Sequence, residues 1–174
     1  EKFGTKVYRL ALSTGATCPN RDGRVGVGGC SFCSGKGSGE FAINADNIAE
    51  QIEKAKALVC AKMPSSIKES ERKYIAYFQS FSNTYGDTKR LISLFKEAIQ
   101  SDEIVALSIA TRPDCFSEEM FDSLESLNKI KPVWIELGLQ TVNENTARAF
   151  NRGYTLDDFE KTYDELKKRE FEVI

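Results

Sequence analysis

Three cysteines lie close together near the start of the chain, and their spacing constrains its fold and chemistry more than any other feature. Cys18 is followed by eleven residues and then by the pair Cys30 and Cys33, with Phe32 directly before the last cysteine. Thiolates are the ligands that iron–sulfur clusters and zinc select, and a Cys-x-x-Cys pair lets two sulfurs reach one metal centre. Four glycines between Cys18 and Cys30 suit a loop that wraps around a bound group. Because structural sites normally have four protein ligands, three cysteines predict a centre with an open, reactive position.

The composition excludes several classes of enzyme and partner. The 174 residues include no histidine, which excludes Ser-His-Asp hydrolysis, Cys-His proteolysis, zinc deaminases and sites with two histidines and a carboxylate. A net charge of −2 without a basic stripe gives no reason to expect a DNA partner or a membrane surface. No apolar run approaches the ~20 residues of a membrane span. Five cysteines, an odd number, with no targeting segment predict the reducing cytoplasm rather than a disulfide framework.

The rest of the chain alternates predicted strands with amphipathic helices. Strands are predicted over residues 7–13, 74–78, 104–109, 133–139 and 171–174. The predicted helix caps are Asn44 or Asp46, then Asp87, Ser117 and finally Thr155, which forms a capping box with Asp158. Successive strand starts lie about thirty residues apart, the length of one strand–helix–strand unit. The pattern predicts an α/β fold with a parallel sheet that helices cover on at least one face.

Polar residues collect directly after the predicted strands. The cysteine loop follows the first strand, residues 79–85 the second, residues 111–114 the third, and Gln140 the fourth. Ligands bind at this carboxyl edge in parallel α/β proteins. A single polar residue there, such as Asn83 or Asp114, can equally be a turn residue, but the shared placement favours a ligand site. The glycine-rich residues 34–40 lack the Gly-Lys-Ser/Thr ending of a phosphate loop, so nucleotide-phosphate binding is not expected.

The cysteine loop resembles the cluster-binding loop of radical S-adenosylmethionine (SAM) enzymes. In that superfamily three cysteines hold a 4Fe-4S cluster, whose fourth iron binds the amino and carboxylate groups of SAM. Residues 30–33 fit the second half of the usual Cys-x3-Cys-x2-Cys pattern, whereas the eleven-residue first gap is longer. Cys-Pro-Asn-Arg-Asp-Gly followed by Gly-Gly-Cys-x-Phe-Cys is similar to the elongator catalytic subunit branch and a related set of bacterial radical proteins. The resemblance implies a partial (β/α)6 barrel truncated after about five strands, with residues 1–174 as the core domain and N-terminal fragment of a longer protein.

The resemblance also implies which residues contact the cofactor. Residues 134–141 resemble the fourth-strand motif of the elongator-type and oxygen-independent coproporphyrinogen-oxidase-type enzymes, in which the residue matching Gln140 contacts SAM. Arg152 matches an arginine that pairs with the SAM carboxylate, a task that suits the guanidinium fork, although an exposed helix-terminal charge is the alternative. Phe32 is expected to pack near the adenine. The remaining expected cofactor contacts follow the second and third strands and are Ser80, Ser82, Asn83 and Arg112.

Two segments depart from the pattern of these relatives. Residue 110 is alanine, where the elongator-type enzymes carry a glutamate, so any contact of that glutamate is missing or replaced here. The Gly-Gly-Glu-like motif expected after the second strand is also absent, and residues 79–83 stand in its place. Hydrogen bonds to the methionine amino group would then come from serine or asparagine side chains and from the backbone.

The resemblance implies radical chemistry, and two alternatives stay open beside it. One electron, delivered from a donor such as flavodoxin or ferredoxin, would cleave SAM to methionine and a 5′-deoxyadenosyl radical that abstracts a substrate hydrogen. The elongator branch makes RNA a conceivable substrate class, without support from the charge of the chain. The first alternative is a non-catalytic zinc module in which Cys115 supplies a fourth thiolate, and the second is a scaffold domain. Cys60 is predicted to be a small buried hydrophobic residue.

Overall fold

All five strands run parallel in one sheet whose order follows the chain. The computed structural model describes residues 3–43, 47–64 and 66–174. The strands, in the sheet order β1-β2-β3-β4-β5, are β1 (Val7–Leu12), β2 (Lys73–Phe78), β3 (Ile104–Thr111), β4 (Val133–Leu137) and β5 (Glu172–Val173). The helices are α1 (Ile48–Cys60), α2 (Thr88–Ala98), α3 (Glu118–Asn128), α4 (Glu144–Ala149) and α5 (Leu156–Lys168). Within the described residues the sheet is open, with β1 and β5 at its edges, so the predicted α/β class and partial barrel are confirmed.

The strand ends differ from the sequence prediction by one or two residues. β3 continues to Thr111, two residues beyond its predicted end, and β4 stops at Leu137, two residues before its predicted end. β4 stops early because the carbonyl of Gly138 accepts a hydrogen bond from the Tyr154 hydroxyl (2.7 Å) and Gln140 adopts a positive φ of 62°. Both differences change the shape of the carboxyl edge, where the polar residues collect.

Side-chain caps start the helices, as the sequence predicts for three of them. Asp87 and Ser117 each accept a hydrogen bond from the third residue of the helix that follows, and Thr155 forms the predicted capping box with Asp158. The first helix is capped instead by Asn47; the predicted caps, Asn44 and Asp46, lie outside the described residues. The sequence analysis does not predict the six-residue α4, which Asn143 caps.

One apolar core lies between the sheet and the helices. Phe78 of β2 and Phe95 of α2 meet edge to face with their ring centroids 4.9 Å apart, and both are fully buried. α1, α2 and α3 pack side by side against it, with their apolar faces inward. No helix in the described part of the chain is long and apolar enough to cross a membrane. The rigid sheet therefore presents the loops that follow β1 to β4 at a single edge.

Candidate functional site

A cavity of about 330 Å³ opens at the carboxyl edge of the sheet, where the sequence predicts a ligand site. Its volume lies at the lower end of the range that small-molecule sites occupy. One wall comes from the cysteine loop, and the other comes from the ends of β2, β3 and β4 and the segments after them. The predicted site residues in its lining are Cys18, Cys30, Phe32, Cys33, Ser82, Arg112 and Gln140.

The three loop cysteines all line this cavity as free thiols. Burial raises the pKa of the Cys30 thiol, and the nearby sulfurs of Cys33 and Cys18 raise it further, whereas the side chain of Asn20 and the charge of Arg112 oppose the shift. The structure brings together the three residues that the sequence selects as ligands.

The donor set consists of three thiols, the ligand type that zinc and iron–sulfur clusters both select. In residues 3–43, 47–64 and 66–174 no three Cys, Asp or Glu side chains converge as ligands of one metal ion. A zinc ion draws its sulfur ligands to ~2.3 Å, whereas an iron–sulfur cluster offers a separate iron to each thiolate and accepts sulfurs that lie further apart. Three thiols in the lining of one cavity supply the ligands that such a cluster needs.

Cys115, the fourth ligand of the zinc alternative, lies in a different environment. Its side chain is 7% exposed, and its thiol lies 3.7 Å from a carboxylate oxygen of Asp114. Burial, and then the charge of Asp114, raise the pKa of Cys115 to about 12. Cys60 is also distant from the cavity lining, since its sulfur lies 3.4 Å from the Tyr74 hydroxyl at the other end of the sheet. Neither thiol is among the described residues that line the cavity.

The cysteine loop is folded tightly by its own backbone. The amide of Arg21 donates to the carbonyl of Cys18 (2.8 Å), and the amide of Cys33 donates to the carbonyl of Cys30 (3.0 Å). Gly29 adopts a φ of +80°, and a Cβ atom there would lie 2.7 Å from the Arg21 side chain. Arg21 in turn donates to the carbonyl of Ser34 (2.6 Å), so its guanidinium ties the two ends of the loop together.

Phe32 and Gln140 occupy the accessible rim of the cavity. Phe32 is 49% exposed and packs edge to face on Phe150, with ring centroids 5.1 Å apart. Gln140 is exposed, and its side-chain oxygen lies 3.5 Å from the Tyr154 hydroxyl. Both side chains are free to meet a ligand that enters, which is the placement their predicted roles require.

The three polar residues predicted after β2 have different surroundings. Ser82 lines the cavity, and its buried hydroxyl lies beside the Cys115 thiol without a well-formed hydrogen bond. Ser80 is buried against Gly39 and is not among the described lining residues. Ser82 therefore belongs to the cavity lining with its hydroxyl buried, and Ser80 is not part of the described lining.

Asn83 acts as a structural cross-link, which corrects its predicted cofactor role. Its side-chain oxygen accepts from the Thr14 hydroxyl (2.9 Å), and its amide group donates to the carbonyls of Phe78 (3.0 Å) and Ala110 (2.8 Å). It is fully buried and joins the ends of three strands. The turn interpretation that the sequence left open describes Asn83 better than the ligand interpretation.

Arg112 lines the cavity, but most of its donors are already occupied. It forms a two-point pair with Asp114 (2.8 and 2.7 Å) and donates to the carbonyl of Arg152 (2.9 Å). Its guanidinium also lies 4.7 Å from the centre of the Tyr154 ring. Burial disfavours its charge, yet the hydrogen bonds and charge of Asp114 outweigh this effect and raise the pKa of Arg112 above its usual range. It contributes a fixed positive charge beside the thiols.

Arg152 does not match its predicted contact with a cofactor carboxylate. Its side chain is 1% exposed, and it is not among the described residues that line the cavity. The guanidinium donates to the carbonyls of Tyr154 (2.9 Å), Leu139 (3.2 Å) and Thr141 (2.6 Å) and pairs with Glu144 (2.7 Å). These four partners occupy the fork, so Arg152 holds the segment between β4 and α5 in place.

A carboxylate that the sequence analysis did not select also lines the cavity. Glu136 of β4 accepts hydrogen bonds from the hydroxyls of Tyr77 and Ser108, each at 2.9 Å, and pairs with Arg9 (3.0 Å). Burial, and then the charge of Glu136, raise the pKa of Tyr77 to about 12. In the sequence, Glu136 is the single acidic residue of an otherwise apolar strand, and this pattern is the signal that could have identified it as a site residue.

The chain is similar to several bacterial and archaeal proteins over nearly all of its length. It is 42% identical to uncharacterized protein YtqA of Bacillus subtilis over 174 residues, which cover 99% of this chain and 52% of that protein. It is 35% identical to protein YhcC of Escherichia coli K12 over 173 residues, with 99% and 53% coverage. Uncharacterized protein MJ0486 of Methanocaldococcus jannaschii is 30% identical over 177 residues, with 99% and 52% coverage. The chain spans about half the length of the curated relatives it matches.

The fold is similar to that of a solved enzyme structure. The radical SAM methyltransferase TsrM from Kitasatospora setae, solved with a tryptophan substrate and the SAM analogue aza-SAM, superposes with a TM-score of 0.53. The match covers 96% of this chain and 29% of that one, and at 13% identity it supports the fold alone. A family model described as Radical SAM superfamily matches residues 13–174, which include the whole cysteine loop and every strand after β1. This chain belongs to the radical SAM superfamily.

Proposed function

We propose that this chain is the core of a radical SAM enzyme, with a 4Fe-4S cluster on Cys18, Cys30 and Cys33 and SAM in the adjoining cavity. The observation that carries the proposal is the placement of three free thiols on one wall of a cavity at the carboxyl edge of the sheet. When bound, the cluster supplies the electron that cleaves SAM to methionine and a 5′-deoxyadenosyl radical, which takes a hydrogen atom from the substrate.

The residues of the cavity suit this pair of cofactors. Three thiolates leave one iron of a cluster without a protein ligand, and the open cavity beside them has room for a small molecule. The positive charge of Arg112 opposes the rise in the pKa of the Cys30 thiol that burial causes. Phe32 offers an exposed aromatic face for the adenine, and Gln140 offers an exposed side-chain amide. The match of residues 13–174 to the radical SAM family model also supports SAM as the ligand.

The surroundings of the reaction form part of the same proposal. An electron donor such as flavodoxin or ferredoxin would reduce the cluster, and the cytoplasm would keep the thiols reduced. Tyr77 and Glu136 would line the cavity, and the hydroxyls of Tyr77 and Ser108 hold the Glu136 carboxylate in place. A prearranged polar lining of this kind would orient a bound molecule.

Anaerobic reconstitution with iron and sulfide, followed by metal analysis, tests the proposal. We expect iron and acid-labile sulfide in nearly equal amounts in the wild-type protein and a large loss of both in Cys18→Ala, Cys30→Ala and Cys33→Ala. Cys60→Ala is the matched control and should keep the full complement, because its thiol lies away from the cavity. Zinc without sulfide would support the zinc alternative, and no metal would support a scaffold.

A second measurement tests the chemistry itself. The reconstituted protein is incubated with SAM and dithionite, and 5′-deoxyadenosine and methionine are quantified by chromatography. The proposal predicts equimolar release of the two products and no release from Cys30→Ala. Cluster-loaded wild-type protein that binds SAM but releases neither product would contradict the catalytic part of the proposal.

A further inference from the structure

Asn20 lies inside the cysteine loop and contacts the sulfur of a predicted ligand. Its side chain is fully buried, and its amide nitrogen lies 3.5 Å from the Cys30 sulfur in a donor geometry. The same nitrogen donates to the backbone carbonyl of Asn151 at 2.5 Å. One amide group therefore bridges the cysteine loop and the turn between α4 and α5.

Two glycines make room for this side chain. A Cβ atom at Gly26 would lie 2.4 Å from the Asn20 side-chain oxygen, and one at Gly153 would lie 2.9 Å from it. That oxygen is buried and accepts no hydrogen bond within the described residues. Burial of an unpaired acceptor is unfavourable, so the contacts of the amide nitrogen must compensate for it.

The same turn holds the cysteine loop at further points. The amide of Ser31 donates to the carbonyl of Phe150 (3.0 Å), and the side chain of Asn151 donates to the carbonyl of Gly29 (3.0 Å). Cys30 lies between these two contacts, so its sulfur is held against Asn20 from both sides along the chain. Two groups reach the sulfur itself: the Asn20 amide as a donor, and the carbonyl of Arg152, 3.9 Å away, as an acceptor for the thiol.

We propose that Asn20 holds Cys30 in its ligating position and donates a hydrogen bond to its sulfur, which raises the reduction potential of the bound cluster. This inference rests on the proposed function, because it concerns the cluster that the three cysteines would hold. A reduced cluster carries one more negative charge than an oxidised one, and a hydrogen-bond donor at a ligand sulfur stabilises the more negative state more strongly. Asn20 is thus a positioning residue that also tunes the centre.

Redox titration of the reconstituted protein, followed by electron paramagnetic resonance of the reduced cluster, tests the inference. In Asn20→Ala the ratio of reduced to oxidised cluster at a fixed potential should fall about tenfold, which is ~59 mV for a one-electron couple. In Asn20→Asp this ratio should fall at least as far, since the carboxylate adds a negative charge and lacks the N–H donor. Asn151→Ala is the matched control, because it loses the contact to Gly29 but keeps the carbonyl that Asn20 uses.

The possible outcomes separate this inference from the proposed function. Cluster-loaded Asn20 variants with the wild-type potential overturn the inference and leave the proposed function intact. A wild-type protein that takes up no iron and sulfide overturns the proposed function, and the inference with it. If Asn20→Ala and Asn20→Asp fold but hold no cluster, iron uptake by Asn151→Ala shows whether the Asn20–Cys30 contact or the general clamping of the loop is responsible. A cluster in that control supports the Asn20–Cys30 contact, and its loss there too assigns the effect to the loop clamp and overturns the inference.

Discussion

Replacing Arg152 by alanine should destabilise the fold, and this expectation replaces the cofactor contact inferred from sequence. Arg152 has the largest fully buried side chain in the described structure, and its guanidinium donates hydrogen bonds to three carbonyls and one carboxylate. Its removal leaves a cavity and several acceptors without their donor. A residue that only met a ligand would leave the unliganded fold unchanged when truncated.

The cost of Arg152→Ala follows from its partners. The carbonyls of Leu139, Thr141 and Tyr154 lose a donor, and each buried acceptor left unsatisfied costs ~1–3 kcal/mol unless water replaces the bond. The ion pair with Glu144 adds little, since the Glu144 side chain is 39% exposed. We expect a total loss of ~3–5 kcal/mol, a large part of the ~5–15 kcal/mol that stabilises a typical domain. For a chain of this length the melting temperature should fall by roughly 6–20 °C.

Thermal and urea unfolding of the protein without cofactors, followed by circular dichroism, measures this loss. Arg152→Lys should lie between the wild type and Arg152→Ala, because one ammonium group cannot reach acceptors arranged for a fork. Arg148→Ala removes an exposed arginine from α4 and should change stability by less than ~0.5 kcal/mol. Wild-type stability together with weakened SAM binding in Arg152→Ala would refute this reasoning and restore the cofactor role.

Three further predictions concern residues around the cavity. Iodoacetamide at pH 8.5 should alkylate Cys115 two to three orders of magnitude more slowly in the folded protein than in urea, because a pKa of about 12 keeps the thiol protonated until the pH is far higher; equal rates would contradict this. Asn83→Ala should lower the free energy of unfolding in urea by ~2–4 kcal/mol, because three buried hydrogen bonds are lost. Wild-type stability together with weaker SAM binding would instead support the cofactor role of Asn83. Gly37→Ala should lower the free energy of unfolding by ~1–3 kcal/mol, because the φ of Gly37 is +59° and a Cβ atom there would lie 2.3 Å from the Phe81 ring. In the control Gly35→Ala the new Cβ atom meets nothing within 4 Å, so stability should not change. Equal effects of the two substitutions would contradict this reasoning.

The fold was largely predictable because its signals are local. Apolar runs of strand length mark β1 to β4, and Asp87, Ser117 and Thr155 cap helices through contacts with residues only three positions away. The six-residue α4 was missed because it is shorter than two turns and has too few apolar residues to show a period. Local patterns thus determined the sheet and most helices, and failed only for a short element.

The cavity was less predictable because its polar residues differ in contacts that are distant in sequence. Asn83 and Ser82 are neighbours after the same strand, yet Asn83 bonds to Thr14 and Ala110 while Ser82 lines the cavity. Arg152 likewise looked like a ligand contact because a guanidinium suits any acceptor, including the backbone carbonyls that it meets here. The prediction that residues 1–174 are one part of a longer protein stays a prediction.

The alanine at position 110 shows how a site can keep a chemical group that its motif lacks. Along the chain, Ala110 means that the glutamate of the elongator-type pattern is missing. Across the sheet, however, Ala110 pairs in register with Glu136, and both residues line the cavity from adjacent parallel strands. The small side chain of Ala110 leaves space beside it, and the hydroxyls of Tyr77 and Ser108 fix the Glu136 carboxylate there. Since a ligand meets atoms in space rather than positions in a motif, the cavity still offers it a carboxylate, supplied by the neighbouring strand.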